Sequence, residues 1–187
     1  MSLKFALVGN PNCGKTTLFN EITGSTQYVG NWPGVTIEKR EGKAKRIAGD
    51  IKIIDLPGIY SLSPYSMEEI IARDYIVNEQ PDVVINIVDA TNIERNFYLT
   101  TQLLELGVNV IVALNMMDAV AARGDNIDLG ILEAQLKVPV VPITASKGRG
   151  VKELLERAQT VAQNAASAGV APLLNEMHAE SILSAIR

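Results

Sequence analysis

Eight consecutive residues carry the densest chemical signal in the chain: Gly9-Asn10-Pro11-Asn12-Cys13-Gly14-Lys15-Thr16. Two glycines set around such a loop and followed by Lys-Thr suit the wrapping of a polyphosphate. Glycine lets the backbone close on the anion with no Cβ in the way. Successive N–H groups and the N-terminus of a following helix then face the charge. At this spacing Lys15 is expected to reach the β- and γ-phosphates and the Thr16 hydroxyl to ligate Mg²⁺, with Thr17 beside it on the first helical turn.

Three further segments complete a nucleotide site on paper. Asp55-Leu56-Pro57-Gly58 follows an apolar run, and an Asp at such a strand end holds Mg²⁺ while the Gly N–H meets the γ-phosphate. Asn115-Met116-Met117-Asp118 ends another apolar run. A carboxylate there accepts from both N1–H and N2–H of guanine, a donor pair that adenine lacks, so GTP or GDP is the expected ligand. The usual Lys of this element is Met116, which keeps an aliphatic stem against the base and loses the ammonium. Thr144-Ala145-Ser146-Lys147 follows the last apolar run and is similar to a Ser-Ala-Lys element, where a backbone N–H contacts guanine O6. Between the first helix and the next strand, Gly30-Asn31-Trp32-Pro33-Gly34-Val35-Thr36 has the composition of a loop that switches between order and disorder. Gly34, Val35 and Thr36 are expected at the nucleotide, with the Thr36 hydroxyl completing the Mg²⁺ shell.

The elements that must position these segments follow from periodicity. Phe5–Val8, Ile51–Ile54, Val83–Val88, Val108–Leu114 and Val138–Ile143 read as buried strands, rich in Val and Ile and bounded by polar, Gly or Pro residues. Helix-length amphipathic stretches lie between them, which favours a mainly parallel sheet with helices on both faces. The charged stretch Thr36–Ile47 reads as an edge strand, where charge discourages sheet-to-sheet pairing. The expected architecture is α/β with three layers: a six-stranded, mainly parallel sheet carrying one antiparallel edge strand. Residues 1–162 are expected to form one nucleotide-binding domain, and residues 163–187 a linker and the start of a truncated helical segment.

Composition narrows the function classes. The chain has 187 residues, 47% of them apolar, enough for one domain with a proper core. Its net charge of −4 argues against a nucleic-acid partner. One cysteine, Cys13, excludes an internal disulfide and fits a reducing compartment. No apolar run approaches the ~20 residues of a membrane span. His178 has no partner cluster for a metal.

The segments GNPNCGKTTLFN, VGNWPGVT, DLPGIYSLSPYS, IARDYI and VDATNIERNFYLTTQL together resemble the N-terminal G domain of the ferrous iron transport protein B family, within the TrmE-Era-like P-loop GTPases. The resemblance covers roughly residues 3–160. It implies a Ras-like fold and a Mg²⁺-dependent GTPase used as a cytoplasmic switch. It also implies, as partner, a membrane-embedded transporter region in the same full-length protein, in the cell's inner membrane. Homo-oligomerisation is left open. A soluble Era-like GTPase of ribosome or tRNA maturation shares the P-loop asparagine, but the acidic charge and VGNWPGVT favour the transporter.

The catalytic apparatus is expected to be unusual. Ile59 stands where many small GTPases carry a water-orienting Gln. Arg40 and Arg46 read as a solvated face, and Glu68 and Glu69 as first-turn residues that complement a helix dipole. G-x-P-N-x-G-K resembles the P-loop of potassium-activated GTPases, which implies K⁺ held by the Asn12 side chain and the carbonyls of Gly30 and Trp32. Asn12, Lys15, Thr36 and Gly58 are the residues expected to act in hydrolysis, Thr36 as the positioner of water.

Overall fold

The structure, a computed structural model, describes residues 2–24, 27–45 and 47–168. Arg46, His178 and the segment from residue 169 onward therefore lie outside the described residues. A seven-stranded sheet runs in the order β2-β3-β4-β1-β5-β6-β7. The strands are β1 (Leu3–Gly9), β2 (Gln27–Asn31), β3 (Glu38–Lys43), β4 (Ile51–Asp55), β5 (Val83–Asp89), β6 (Val110–Asn115) and β7 (Val140–Pro142). β4, β1, β5, β6 and β7 are mutually parallel, while β3 pairs antiparallel with both β2 and β4.

The six-strand expectation is corrected to seven. The additional strand, Gln27–Asn31, gave no burial alternation because it is the outermost strand, with its side chains largely in solvent. Backbone pairing with β3 holds it, Tyr28 opposite Glu41 and Gly30 opposite Lys39. The strand that runs against the rest is thus covered on its outer side and is not itself the edge. Its charges pair locally, Lys39 with Glu41 at 2.7 Å.

Alternation along each central strand sends its side chains to opposite faces. Phe5 and Leu7 of β1, with Ile53, Ile85 and Ile111, pack under α1 (Lys15–Thr23) and α6 (Val151–Ala168). Ala6 and Val8, with Ile54 and Val84, face α2 (Met67–Asp74) and α3 (Ile93–Glu105). Further along that face, Val112, Leu114 and Val140 pack against α3, α4 (Met117–Arg123) and α5 (Leu129–Leu136). α2 opens on a capping box: Ser66 Oγ accepts from the Glu69 N–H at 3.1 Å, and the Glu69 carboxylate accepts from the Ser66 N–H at 3.2 Å. It passes into a π-helical turn, Tyr75–Glu79. α6 continues unbroken to Ala168, so the division expected between residues 162 and 163 falls inside a helix.

Candidate functional site

Because the central strands are parallel, all their C-terminal ends lie along one edge of the sheet. The four motif segments lie at that edge: Gly9–Thr16 after β1, Asp55–Gly58 at β4, Asn115–Asp118 at β6, and Thr144–Ser146 beyond β7.

The phosphate loop is built on two left-handed residues, Asn12 at φ 66 and Gly14 at φ 94. Asn tolerates that region better than most side chains. Gly14 is required for a second reason, since a Cβ there would collide with Asn115 Nδ2. Gly9 is closed in as well: an added Cβ would lie 2.7 Å from both Cys13 Sγ and the Ile87 carbonyl. Asn12, Thr16 and Thr17 are exposed, while Cys13 is buried beneath the loop.

On the base side, Asn115 spends both ends of its amide on backbone. Its Nδ2 donates to the Cys13 carbonyl at 2.9 Å, and its Oδ1 accepts from the Ala145 N–H at 3.0 Å. One side chain therefore ties the P-loop to the loop after β7. That loop is pinched shut by Thr144 and Arg149, which exchange N–H···O bonds of 3.1 and 3.2 Å. Met116 turns left-handed at φ 65 and starts α4, placing Met117 and Asp118 in the first helical turn. Asp118 accepts from the Ala119 N–H at 3.0 Å and pairs with Lys147 Nζ at 2.7 Å. The Lys147 ammonium holds the Asp118 carboxyl below its ordinary range. Ser146 stands exposed beside it.

On the phosphate side, Lys15 donates to the Asp55 carboxylate, and both are largely buried. Burial pushes the Asp55 carboxyl above its ordinary range, and the Lys15 ammonium pulls it back only in part. The segment after Asp55 folds against the P-loop: Leu56 N–H donates to Leu7 O at 3.0 Å, and Ile59 N–H to Gly9 O at 3.1 Å. Gly58 lies over Pro11, with its Cβ position 3.5 Å from the proline backbone. Ile59 is 2% exposed, so its side chain belongs to the core and cannot face a phosphate.

Gly30 sits in β2, and the Trp32 carbonyl accepts from the Val35 N–H at 3.2 Å. The Trp32 ring is a buried anchor, edge-on to Tyr75 with centroids 5.5 Å apart and capped by Lys39 Nζ at 4.9 Å. Gly34 and Thr36 are exposed and Val35 half-buried. Glu69 is occupied by its capping box and by Ser61 Oγ at 2.9 Å.

Sequence reasoning missed two contributors, Arg95 and Gln102, and left the side chain of a third, Lys147, without a role. Lys147 had one signal: it directly follows the loop beside an element whose usual lysine is Met116. Arg95 and Gln102 had none, because polar residues on a helix read as solvated. In the structure both turn toward the segment after Asp55.

A mononucleotide loop, a carboxylate at the neighbouring strand end and a clamped Asn/Asp pair, all on one edge of a parallel sheet, define a P-loop G domain. The chain belongs to the ferrous iron transport protein B family, whose model matches residues 3–158. It is 50% identical over 156 residues to the Fe(2+) transporter FeoB of Escherichia coli, covering 81% of this chain and 20% of that protein. It is also 50% identical over 155 residues to the Fe(2+) transport protein A/Fe(2+) transporter FeoB fusion protein of Porphyromonas gingivalis, covering 82% of this chain and 18% of that one. Among solved structures, a point mutant of S. thermophilus NFeoB bound to mGDP matches with TM-score 0.82 at 52% identity, over 84% of this chain and 60% of that one. The cytosolic domain of the T. maritima FeoB in apo form matches with TM-score 0.84 at 44% identity, over 87% of this chain and 65% of that one. The chain thus spans about a fifth of the length of these curated relatives. No helix among the described residues is long and apolar enough to cross a membrane.

Proposed function

We propose that this chain binds GTP with Mg²⁺ and hydrolyses it under K⁺ stimulation, as the cytoplasmic switch domain of a membrane Fe²⁺ transporter. The observation that carries the reading is the Asn115 clamp. It fixes the phosphate loop and the base-side loop in one frame, with the Asp118 carboxylate at its rim. Asp118 would accept from guanine N1–H and N2–H, and the Ser146 N–H would meet O6. Lys15 and Asp55 now neutralise each other. A polyphosphate and a divalent cation would give each a partner of opposite charge, releasing Lys15 to the phosphates and Asp55 to the metal.

The donor set fits Mg²⁺: the hydroxyls of Thr16 and Thr36 and the Asp55 carboxylate are hard oxygen ligands. Bound there, Mg²⁺ supplies charge neutralisation between the β- and γ-phosphates. Asn12, exposed on its left-handed turn, offers an amide oxygen suited to K⁺. The Gly30 and Trp32 carbonyls join it only if the 30–36 loop leaves its present conformation, because Trp32 O is held by Val35. In this reading Gly58 N–H would meet the γ-phosphate, and Thr36 would orient the attacking water. With the Ile59 side chain in the core, no group at that position takes the role, so positive charge near Asn12 carries more of the stabilisation.

The test is phosphate release from GTP in K⁺ against Na⁺ buffer, for the wild type and Asn12→Ala. The wild type is expected to run about tenfold faster or more in K⁺, and the variant to show no preference. Equal wild-type rates in both salts remove K⁺ from the account. Absence of release in either removes hydrolysis.

A further inference from the structure

The segment that follows Asp55-Leu56-Pro57-Gly58 is gripped from outside by one helix. Arg95 and Gln102 lie seven residues apart on α3, two helical turns, and so share a face. The Arg95 guanidinium stacks over the Tyr60 ring, 4.4 Å from its centroid. Gln102 Oε1 accepts from the Leu62 N–H at 2.7 Å. The same turn of α3 also reaches the phosphate loop: the Arg95 carbonyl accepts from Asn10 Nδ2 at 3.4 Å. Asn10 is 4% exposed, and its Oδ1 has no partner among the described residues. Arg95 therefore touches, through two different groups, both walls of the γ-phosphate site. Its carbonyl meets the residue after Gly9, and its side chain meets the residue after Ile59.

We propose that Arg95 is a positioning residue for GTP hydrolysis: it holds the Tyr60 segment, and with it Gly58, at a fixed distance from the phosphate loop. The proposal rests on the GTPase reading above. The physical argument is one of registration. A Cβ at Gly58 would lie 3.5 Å from Pro11, and Ile59 N–H bonds Gly9 O, but the Tyr60 side chain is half-exposed. Its neighbours Ile59 and Ser61 are buried, so the cation above the ring restrains the one side chain of this turn that the core leaves outside. A shift of about 1 Å at such a segment is enough to misplace an N–H aimed at a phosphate and to slow chemistry severely. Arg95 is itself exposed and its removal leaves no buried charge, so the effect falls on geometry and not on folding.

Single-turnover and steady-state GTP hydrolysis test this on Arg95→Ala, Arg95→Lys, Tyr60→Leu and the Arg95→Ala/Tyr60→Leu double variant, with GDP affinity and melting temperature measured on each. Arg95→Ala is expected to lower kcat about tenfold while KM and GDP affinity stay within about twofold, because a group that acts only on the assembled phosphate site leaves ground-state binding alone. Arg95→Lys keeps a cation over the ring and is expected to recover most of the rate. Tyr60→Leu should lose as much as Arg95→Ala, and the double variant no more than either, the non-additivity of groups acting as a unit. Unchanged kcat in Arg95→Ala, additive losses in the double variant, or a loss carried by GDP affinity each overturn the proposal. A wild type that does not hydrolyse GTP overturns the reading beneath it and the proposal together. A wild type that turns over while Arg95→Ala matches it sinks the proposal alone.

Discussion

The base side and the phosphate side of this site are built on opposite plans. The frame of the base side is closed by protein groups alone, with its recognition carboxylate, Asp118, resting on Lys147 at the rim. Asn115 is buried and satisfied at both ends of its amide, and it joins segments 102 and 30 residues away along the chain. The phosphate side is assembled from groups that satisfy each other provisionally. Lys15 and Asp55 are paired together, and Asn12, Thr16 and Thr36 stand in solvent. A rigid half that recognises and a loose half that responds is what a switch requires: the ligand's differential contacts with two states can act only where the protein is not already committed.

Lys15→Ala should expose the loose half most clearly. Removing the ammonium takes away charge aimed at the transferring phosphate, and turnover is expected to fall about 10²–10³-fold. The effect on the fold is expected to be the smaller one, because burial raises the Asp55 carboxyl and so favours its taking up a proton once the ammonium is gone. Phosphate-release kinetics and chemical denaturation of the same preparation check both parts. A large stability loss with Lys15→Ala would mean that the phosphate side is as prebuilt as the base side.

Asn115→Ala is expected to reverse that pattern. It strands the Cys13 carbonyl and the Ala145 N–H, two buried groups whose desolvation is worth about 1–3 kcal/mol each. Denaturation should therefore report a loss of about 4 kcal/mol, a sum of two such terms. Guanine-nucleotide affinity should fall with it, since the frame carrying Asp118 is loosened. A variant that loses nucleotide but keeps its stability would show the clamp to be a ligand contact only, with no structural role.

The same division explains what was legible in the amino-acid sequence. Val83–Asp89 and Val110–Asn115 announce themselves because strands buried on both faces must be continuously apolar. β2 does not, because an outermost strand is held by backbone pairing that any side chain permits. Gly9–Thr16, Asp55–Gly58 and Asn115–Asp118 are readable because their backbone geometry demands particular residues, as Gly14 shows against Asn115. The partners that turn motif residues into a site are not. Nothing local foretells that Arg95 meets Tyr60, or that Trp32 is anchored on Tyr75 under Lys39. Those contacts depend on how helices and loops come together, and each residue alone reads as ordinary surface or ordinary core.

Cys13 gives the finest probe of the rigid half. Its carbonyl is one end of the Asn115 clamp, and its side chain is 1% exposed beneath Gly9. Burial raises its thiol from an ordinary 9.0 to about 11, against the pull of the Lys15 N–H and ammonium. Between those values the unfolded chain has released this proton and the folded chain has kept it. The native state then binds more protons than the unfolded one, so stability falls as pH rises through that window and is whole below it. Two units correspond to about 2–3 kcal/mol. Denaturation of the wild type and Cys13→Ala at about pH 8.5 and pH 10.5 separates this from titrating lysines and tyrosines, which both proteins share. The wild type should lose about 2 kcal/mol more than the variant, and its native thiol should resist alkylation at the lower pH. Parallel losses, or a thiol that reacts freely in the folded protein, would mean that the loop above Cys13 opens on its own and that the base-side frame is not rigid where it meets the phosphate loop.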